Sequence, residues 1–140
     1  MRCMVFVKAT EDSEAGVMPS EKDLSEMGAF NEELVNAGVM LDGAGLHRSS
    51  KGVRIEYSEG DATVTDGPFA ETRELVAGYW VWEVKSVDEA IEWARRIPFN
   101  HGEGVEIRPF IEPEDFGEAY TPELQEKGAE LEEKIRQQGN

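Results

Sequence analysis

The strongest constraint on the fold is the segment 74–84, ELVAGYWVWEV, because it is apolar on both sides of an extended strand. Successive side chains of a strand point to opposite faces, so Tyr79 and Val81 lie on one face while Trp80 and Trp82 lie on the other. A strand with one face in water needs only one apolar side. We therefore expect a long strand with both faces covered, by helices or by a second sheet.

One helix is predicted between Ser20 and Gly38, before the long strand. Ser20 is a suitable N-cap, and Asp23 stands three residues later, where a capping box places its acidic partner. Gly38 provides the usual end signal. The residues predicted to face the core follow helical spacing: Leu24, Met27, Phe30, Leu34 and Val35.

A second helix is predicted over 86–98, SVDEAIEWARRIP, immediately after the long strand. Ser86 and Glu89 match the S-x-x-E capping box, and Pro98 marks the end of the helix. The predicted core stripe of this helix consists of Val87, Ile91 and Ala94. The sequence therefore places one helix on each side of the long strand along the chain.

The remaining segments complete a recognisable order of elements. Residues 10–19 form a polar loop, and strands or hairpins are predicted in four segments: 1–8, 39–47, 52–67 and 104–111. The order strand, helix, strand, hairpin, long strand, helix, strand is a split β-α-β pattern with an inserted hairpin. This pattern predicts an α+β fold of ferredoxin-like architecture. Helices then cover one sheet face, and we expect the other to be covered by a second copy of the chain in a homodimer.

The C-terminal segment predicts a separate, peripheral helix. Thr121 is a suitable N-cap, and Pro122 occupies the first helical position. Only a thin apolar stripe follows, formed by Leu124, Leu131 and Ile135. A stripe this narrow indicates a helix that packs at the periphery or against a partner.

The charge balance excludes some classes of partner. The net charge is −16, from 30 acidic and 14 basic residues, and no local basic patch offsets it. Such a surface repels phosphate backbones, so we expect no nucleic-acid binding. No apolar run approaches the roughly 18 residues of a membrane-spanning helix, and residues 1–8 predict a first strand and not a signal peptide. The single Cys3 cannot form an internal disulfide, which favours a reducing cytoplasm.

No motif indicates a bound cofactor or metal ion, and we expect none. Gly43 and Gly45 lack the full G-x-G-x-x-G run of dinucleotide sites, and indicate a bulge or a close approach to the backbone. His101 stands near Asn100 and Glu103 but without a spaced set of metal ligands, so a loop histidine is the simpler interpretation.

The motif Asp66-Gly67-Pro68-Phe69, with Glu71 and the Gly78-Tyr79-Trp80 strand behind it, resembles the YCII-related proteins of the DGPF type. The resemblance covers residues 1–117 and leaves 118–140 as the peripheral C-terminal helix. It implies a dimeric α/β-barrel in which two ferredoxin-like sheets close against each other. It also implies a proposed His/Asp active site, which maps to His47 in GLHRSS and to Asp66.

The resemblance also bears on partners. Relatives of the DGPF type are often encoded beside extracytoplasmic-function sigma factors, so an association with such a factor is one possibility that it raises. Their biochemical activity is generally unknown. His101, in RRIPFNHGEG, is a departure from the pattern expected of these relatives.

His47 and Asp66 have chemistry suited to proton transfer. A neutral imidazole accepts a substrate proton, while a carboxylate that holds its other nitrogen raises its basicity. The plainer interpretation is that His47 is a surface residue at a strand end, and that Asp66 is a turn former bonded to backbone amides. The residues alone leave both interpretations open.

Other residues are candidates for holding a substrate. Ser49 or Ser50 could donate a hydrogen bond to a developing oxyanion, and Arg48 or Arg73 could anchor a carboxylate. Tyr79 or Trp80 could line an apolar pocket if it faces the interior of the barrel. Alternatively, Glu71 and Arg73 form a surface ion pair.

Three functions remain in competition. The first is a small-molecule enzyme that uses His47 and Asp66 for acid–base chemistry, such as isomerisation or elimination. The second is a non-catalytic ligand-binding or regulatory protein associated with a sigma factor. The third is a structural dimer whose motif serves folding alone.

Overall fold

A computed structural model describes residues 1–71 and 74–139. They form two compact units, Met1–Pro109 and Phe110–Asn140. The strands are β1 (Arg2–Lys8), β2 (Met40–Gly45), β3 (Val53–Ser58), β4 (Asp61–Asp66), β5 (Val76–Glu83) and β6 (Val105–Pro109). The α-helices are α1 (Glu11–Glu14), α2 (Glu21–Asn36), α3 (Val87–Ala94) and α4 (Pro122–Gln138), and short 3₁₀ helices cover Ser49–Lys51 and Pro113–Ala119.

The first unit is built on a four-stranded antiparallel sheet with the order β2-β5-β1-β6. The strand predicted to have both faces covered, β5, lies between β1 and β2, so its hydrogen bonds are satisfied on both edges. Strands β3 and β4 form a separate hairpin between β2 and β5. The element order and the antiparallel sheet confirm the predicted α+β class and the position of the inserted hairpin.

One sheet face carries the hydrophobic core. Trp80 and Trp82 of β5 are buried there together with Phe30 and Leu34 of α2 and Ala90 of α3. The rings of Phe30 and Trp80 meet edge to face with centroids 6.1 Å apart, a favoured geometry for aromatic pairs. Both helices therefore pack on the tryptophan side of the sheet. Trp80 belongs to this core, so the idea that it might line a barrel interior is wrong.

The second sheet face consists of side chains that alternate with those of the core. Met4 pairs with Val81, and Phe6 pairs with Tyr79, across β1 and β5. All four are half-buried. The strand period predicted this division of β5, and it places an apolar strip opposite the helices.

The capping prediction for α2 is confirmed, whereas its predicted core face is only partly right. Ser20 accepts a hydrogen bond from the Asp23 amide, and Asp23 accepts one from the Ser20 amide, each at 3.1 Å. Leu24 and Val35 are exposed. Val35 lies about 100° around the helix from the buried Leu34, and Leu24 precedes the first residue that packs on the core, Met27.

The predicted core stripe of α3 is rotated relative to the observed one. Val87 and Ile91 are exposed, and the core contacts come from Ala90, Trp93 and Ala94. The large indole of Trp93 packs against the core, where the prediction had placed Ile91.

The predicted capping box of α3 is half formed. Ser86 accepts a hydrogen bond from the Glu89 amide at 3.2 Å, as expected. The Glu89 carboxylate accepts a hydrogen bond from the Lys85 amide at 2.7 Å. The predicted capping box required the Ser86 amide as the donor.

The polar loop predicted over residues 10–19 contains a short helix, α1, so this prediction is wrong in part. Thr10 Oγ1 accepts a hydrogen bond from the Ser13 amide at 3.1 Å, and Ser13 Oγ accepts one from the Thr10 amide at 2.8 Å. This reciprocal cap satisfies amides that would otherwise lack partners at the start of the turn.

The β3–β4 hairpin has one apolar face, and that face is exposed. Ile55 pairs with Val64, and Val53 pairs with Asp66, so these side chains share one side of the ribbon. Together with Tyr57 on the same side, which is 81% exposed, Val53, Ile55 and Val64 form what we call the apolar hairpin face. The alternation was predicted correctly, but the apolar side chains face solvent and not the core of this unit.

The second unit contains α4, whose predicted start is confirmed. Thr121 Oγ1 accepts a hydrogen bond from the Leu124 amide at 3.3 Å, and Pro122 begins the helix. The rings of Phe116 and Tyr120 stack with centroids 5.5 Å apart, and the predicted stripe of Leu124, Leu131 and Ile135 is exposed. Within residues 1–71 and 74–139, no helix has the length and apolar character needed to cross a membrane.

The two core tryptophans provide a matched test of the packing. Trp80 Nε1 donates to Asn31 Oδ1 at 2.9 Å, whereas Trp82 Nε1 is buried without a hydrogen-bond partner in the described part of the chain. We expect Trp80→Phe to lower the free energy of unfolding by about 1–3 kcal/mol more than Trp82→Phe, because only the first change breaks a hydrogen bond. Urea denaturation measures both; an equal or greater loss at Trp82 would contradict this account.

Candidate functional site

His47 lies in the short loop that joins β2 to the 3₁₀ helix Ser49–Lys51, and its side chain is exposed. Residues on either side of it are anchored. The Leu46 amide donates to the Ala77 carbonyl of β5 at 2.8 Å, and Arg48 Nη1 donates to the Ala15 carbonyl at 3.2 Å. We call residues 46–48 the His47 loop.

The first of the two glycines before the His47 loop, Gly43, is explained by packing within the protein. A Cβ atom on Gly43 would lie 3.0 Å from Trp80 Cδ1, and the register of β2 on β5 shifts between Met40 and Asp42. The predicted close approach is therefore present at Gly43, and the irregularity in strand pairing lies just before it, between Met40 and Asp42. The side-chain atoms that approach the backbone there belong to Met40 and Trp80.

Asp66 is the last residue of β4, is exposed, and precedes the cis peptide bond between Gly67 and Pro68. We call residues 66–69 the Asp66 turn. Phe69, at its end, is half-buried beneath Arg54, whose guanidinium carbon lies 3.9 Å from the ring centroid. A guanidinium over an aromatic face is a favourable contact, and it ties the turn to β3.

The Asp66 turn packs directly against the segment that follows the His47 loop. The Gly67 amide donates to the Gly52 carbonyl at 2.9 Å, and the Phe69 amide donates to Ser49 Oγ at 3.0 Å. A Cβ atom on Gly67 would lie only 1.8 Å from the Ser49 carbonyl oxygen. Glycine is thus required at position 67 by this contact.

These contacts bring the two predicted catalytic segments together, but they do not join the two side chains. In the part of the chain that the structure describes, no hydrogen bond links His47 to Asp66. Their assignment as an acid–base pair stays a prediction.

The four predicted substrate-binding residues have different surroundings. Ser49 is half-buried, and its hydroxyl donates to Glu14 Oε1, a residue that the sequence did not indicate. Arg48 is engaged with Ala15, as described above. The Tyr79 hydroxyl lies on the second sheet face and donates to Asp42 Oδ2 at 3.5 Å. Arg73 lies outside the described residues, so its predicted role and its pairing with Glu71 stay predictions.

Glu71 forms an ion pair with Arg54, with 3.2 Å between Arg54 Nη1 and Glu71 Oε2. A hydrogen bond from the Glu71 backbone amide lowers the pKa of the Glu71 carboxyl, and the hydrogen bond and charge of Arg54 lower it further. The carboxylate is exposed, so this is a surface ion pair.

No cluster that could hold a metal ion occurs within residues 1–71 and 74–139. One shallow surface hollow, of about 200 Å³, is lined by Glu89, Glu92, Trp93, Arg95 and Arg96 of the α3 region. A second lies along α4, between Glu123 and Glu130. Neither hollow contains His47 or Asp66.

The comparisons with known proteins identify relatives of this chain. Residues 1–113 match the model of a family described as the YCII-related domain. The chain is 33% identical over 77 residues to "Uncharacterized protein R00369" of Rhizobium meliloti (strain 1021), a match that covers 55% of this chain and 62% of that protein. The match therefore spans less than two thirds of that relative.

One solved structure has a similar backbone. It is the 5-chloro-2-hydroxyhydroquinone dehydrochlorinase (TftG) from Burkholderia phenoliruptrix AC1100 in complex with 2,5-dihydroxybenzoquinone. The likeness covers 79% of this chain and 94% of that chain, with 11% sequence identity and a TM-score of 0.43. A likeness this slight carries no information about the activity of the present chain.

Gly67 provides the first test of the site. Gly67→Ala should lower the free energy of unfolding by about 1–3 kcal/mol, because the new methyl group overlaps the Ser49 carbonyl. Gly52→Ala is the matched control, since a Cβ atom there would lie an ordinary 3.5 Å from the same oxygen. Chemical denaturation of both variants makes the comparison, and equal stability of the two would refute the packing argument.

Arg54 provides the second test. Arg54→Met should raise the pKa of Glu71, because it removes two of the influences that lower this pKa. The folded-state pKa lies below the unfolded one, so the pairing adds stability above the unfolded pKa and loses it as pH falls through the folded value. Carboxyl-carbon NMR titration measures the change, with Arg108→Met, which acts on Glu106, as the control. An unchanged Glu71 pKa would contradict the assignment.

Proposed function

Because the chain belongs to the YCII-related family, as the match over residues 1–113 establishes, we propose that it is a small-molecule enzyme with an acid–base pair formed by His47 and Asp66. The observation that carries the proposal is the pair of hydrogen bonds between the Asp66 turn and residues 49–52. These bonds bring together two segments that are distant in sequence. The turn carries Asp66, and residues 49–52 directly follow the His47 loop, so the two groups that proton transfer needs lie on adjoining segments.

The roles of the two residues follow from their chemistry. His47, as the neutral imidazole, accepts a proton from a carbon or oxygen of the substrate. Asp66 orients the ring and stabilises the imidazolium that forms. Isomerisation and elimination on a compact polar substrate both begin with such a transfer.

A homodimer would enclose this site. His47 and Asp66 are both exposed in the single chain, whereas electrostatic catalysis is most effective where water is excluded. The second sheet face, with Met4, Phe6, Tyr79 and Val81, offers apolar side chains to a second copy of the chain. Two such sheets packed face to face make the proposed dimeric α/β-barrel, of the DGPF type.

The proposed chemistry can be tested before the substrate is known. A panel of small keto and hydroxy acids is incubated with the protein in D₂O, and NMR follows deuterium incorporation at carbons next to the carbonyl group. We expect exchange of at least one compound, with a loss of about 10²-fold or more in His47→Ala and in Asp66→Asn. His101→Ala is the matched control and should keep the full rate.

The outcome against the proposal is equally specific. Exchange that proceeds at the same rate in His47→Ala and in His101→Ala would remove His47 from the mechanism. Circular dichroism of each variant shows that the fold is retained.

The dimer has its own test. We expect sedimentation equilibrium to give twice the chain mass for the unmodified protein, and Val81→Glu to give single chains, because a carboxylate cannot be buried between two apolar sheets. Ile55→Glu, on the apolar hairpin face, is the control and should remain dimeric. A single-chain mass for the unmodified protein would refute the dimer, and loss of the dimer only in Ile55→Glu would move the interface to the hairpin.

A non-catalytic regulatory protein is the second candidate, and the apolar hairpin face favours it. Val53, Ile55, Tyr57 and Val64 together form an exposed apolar strip of the kind found at protein-binding surfaces. Under this alternative the strip receives an extracytoplasmic-function sigma factor. A purified sigma factor retained by the unmodified protein but not by Ile55→Glu would support it, whereas equal retention by both would not.

A further inference from the structure

We propose that Glu14 is a positioning residue of the proposed site. Through its bonds to Ser49, Glu14 holds the His47 loop against the Asp66 turn. This inference rests on the proposed function, since it concerns how the same two segments are kept together. Glu14 is the last residue of α1, a helix far from both segments in sequence, and its side chain is half-buried.

The Glu14 carboxylate binds both hydrogen-bond donors of one residue. Oε2 accepts from the Ser49 amide at 2.9 Å, and Oε1 accepts from the Ser49 hydroxyl. Hydrogen bonds to an ionised carboxylate are among the stronger ones in proteins, and two of them fix direction as well as distance. Glu14 thereby sets both the backbone position of Ser49 and the rotation of its hydroxyl group.

The oriented Ser49 hydroxyl then holds the Asp66 turn. A serine hydroxyl has one proton and two lone pairs, and its proton is directed to Glu14. A lone pair is therefore left to accept the Phe69 amide at 3.0 Å. Glu14, Ser49 and Phe69 form one continuous chain of hydrogen bonds from α1 to the turn.

The residue next to His47 is bound to the same part of α1. Arg48 donates to the Ala15 carbonyl, and its guanidinium lies where a side chain on Gly16 would be, since a Cβ atom there would be 2.1 Å from Arg48 Nη1. Gly16 has φ of +82°, a backbone conformation that suits glycine. Both residues that follow His47 are thus fixed by the segment 14–16, which limits the positions open to the imidazole.

The test measures whether a change at Asp66 alters the NMR signal of His47, and whether Glu14 is needed for that effect. The probe is the ¹H–¹³C NMR signal of the His47 ring, and the perturbation is Asp66→Asn; the chain has one other histidine, so assignment is direct. The perturbation is applied to the unmodified protein, to Glu14→Ala, to Ser49→Ala and to Glu11→Ala. Glu11 is the matched control, because it lies on the same helix and its side chain makes no hydrogen bond within the described residues.

The expected result is a displacement of the His47 signal by Asp66→Asn in the unmodified protein and in Glu11→Ala. In Glu14→Ala and Ser49→Ala this displacement should fall by about half or more, since the link through the Ser49 hydroxyl is weakened or lost and the Gly67–Gly52 bond remains. The Phe69 amide should also exchange with solvent about five- to tenfold faster in both variants, because its acceptor is freed or lost.

Two results would overturn the inference, and they are distinguishable. A displacement of equal size in Glu14→Ala and Glu11→Ala removes the positioning role of Glu14 and leaves the His47/Asp66 pair intact. No displacement in the unmodified protein refutes the pair itself, and the positioning role fails with it. If Glu14→Ala does not fold, Ser49→Ala tests the hydroxyl link from Glu14 to the Phe69 amide, and an undiminished displacement in that variant overturns the inference.

Discussion

The close contact between Gly67 and the carbonyl of Ser49 is the constraint on which the candidate site depends. A Cβ atom at position 67 would overlap that oxygen. The amides of Gly67 and Phe69 both donate hydrogen bonds to residues 49–52. With its backbone donors used in this way, the Asp66 turn is fixed to the end of the His47 loop. Glu14 fixes the loop from its other side through Ser49. A hairpin, a helix end and a loop are thus joined by four hydrogen bonds, three of which have a backbone amide as donor.

Much of the fold follows from local sequence signals. The two-sided apolar pattern of β5, the Ser20 cap of α2 and the Thr121 cap of α4 all identify real elements, because period and capping are properties of short segments. The core faces of the helices were harder to predict. Which side of α3 meets the sheet depends on how the Trp93 indole packs beside Phe30 and Trp80, and this is decided by the three-dimensional arrangement of three distant segments.

The candidate site shows the same division between local and distant information. His47, Asp66 and Ser49 stand in recognisable motifs, and the sequence indicates them. Glu14 stands in a segment that reads as a polar loop, and only its two bonds to Ser49 give it significance. Arg54 likewise alternates as an ordinary exposed strand residue, yet it covers Phe69 and pairs with Glu71. Contacts between residues that are 17 or 35 positions apart produce no periodic pattern in the sequence.

Proton transfer by His47 and Asp66 requires that the two side chains share one enclosed space in the assembled protein. A crystal structure of the protein as it exists in solution tests this most directly, through the distance from an imidazole nitrogen of His47 to a carboxylate oxygen of Asp66. We expect a direct hydrogen bond of about 2.6–3.2 Å, or a single bridging water, at the edge of a cavity. Two side chains that face separate regions of bulk solvent, with protein packed between them, would contradict it.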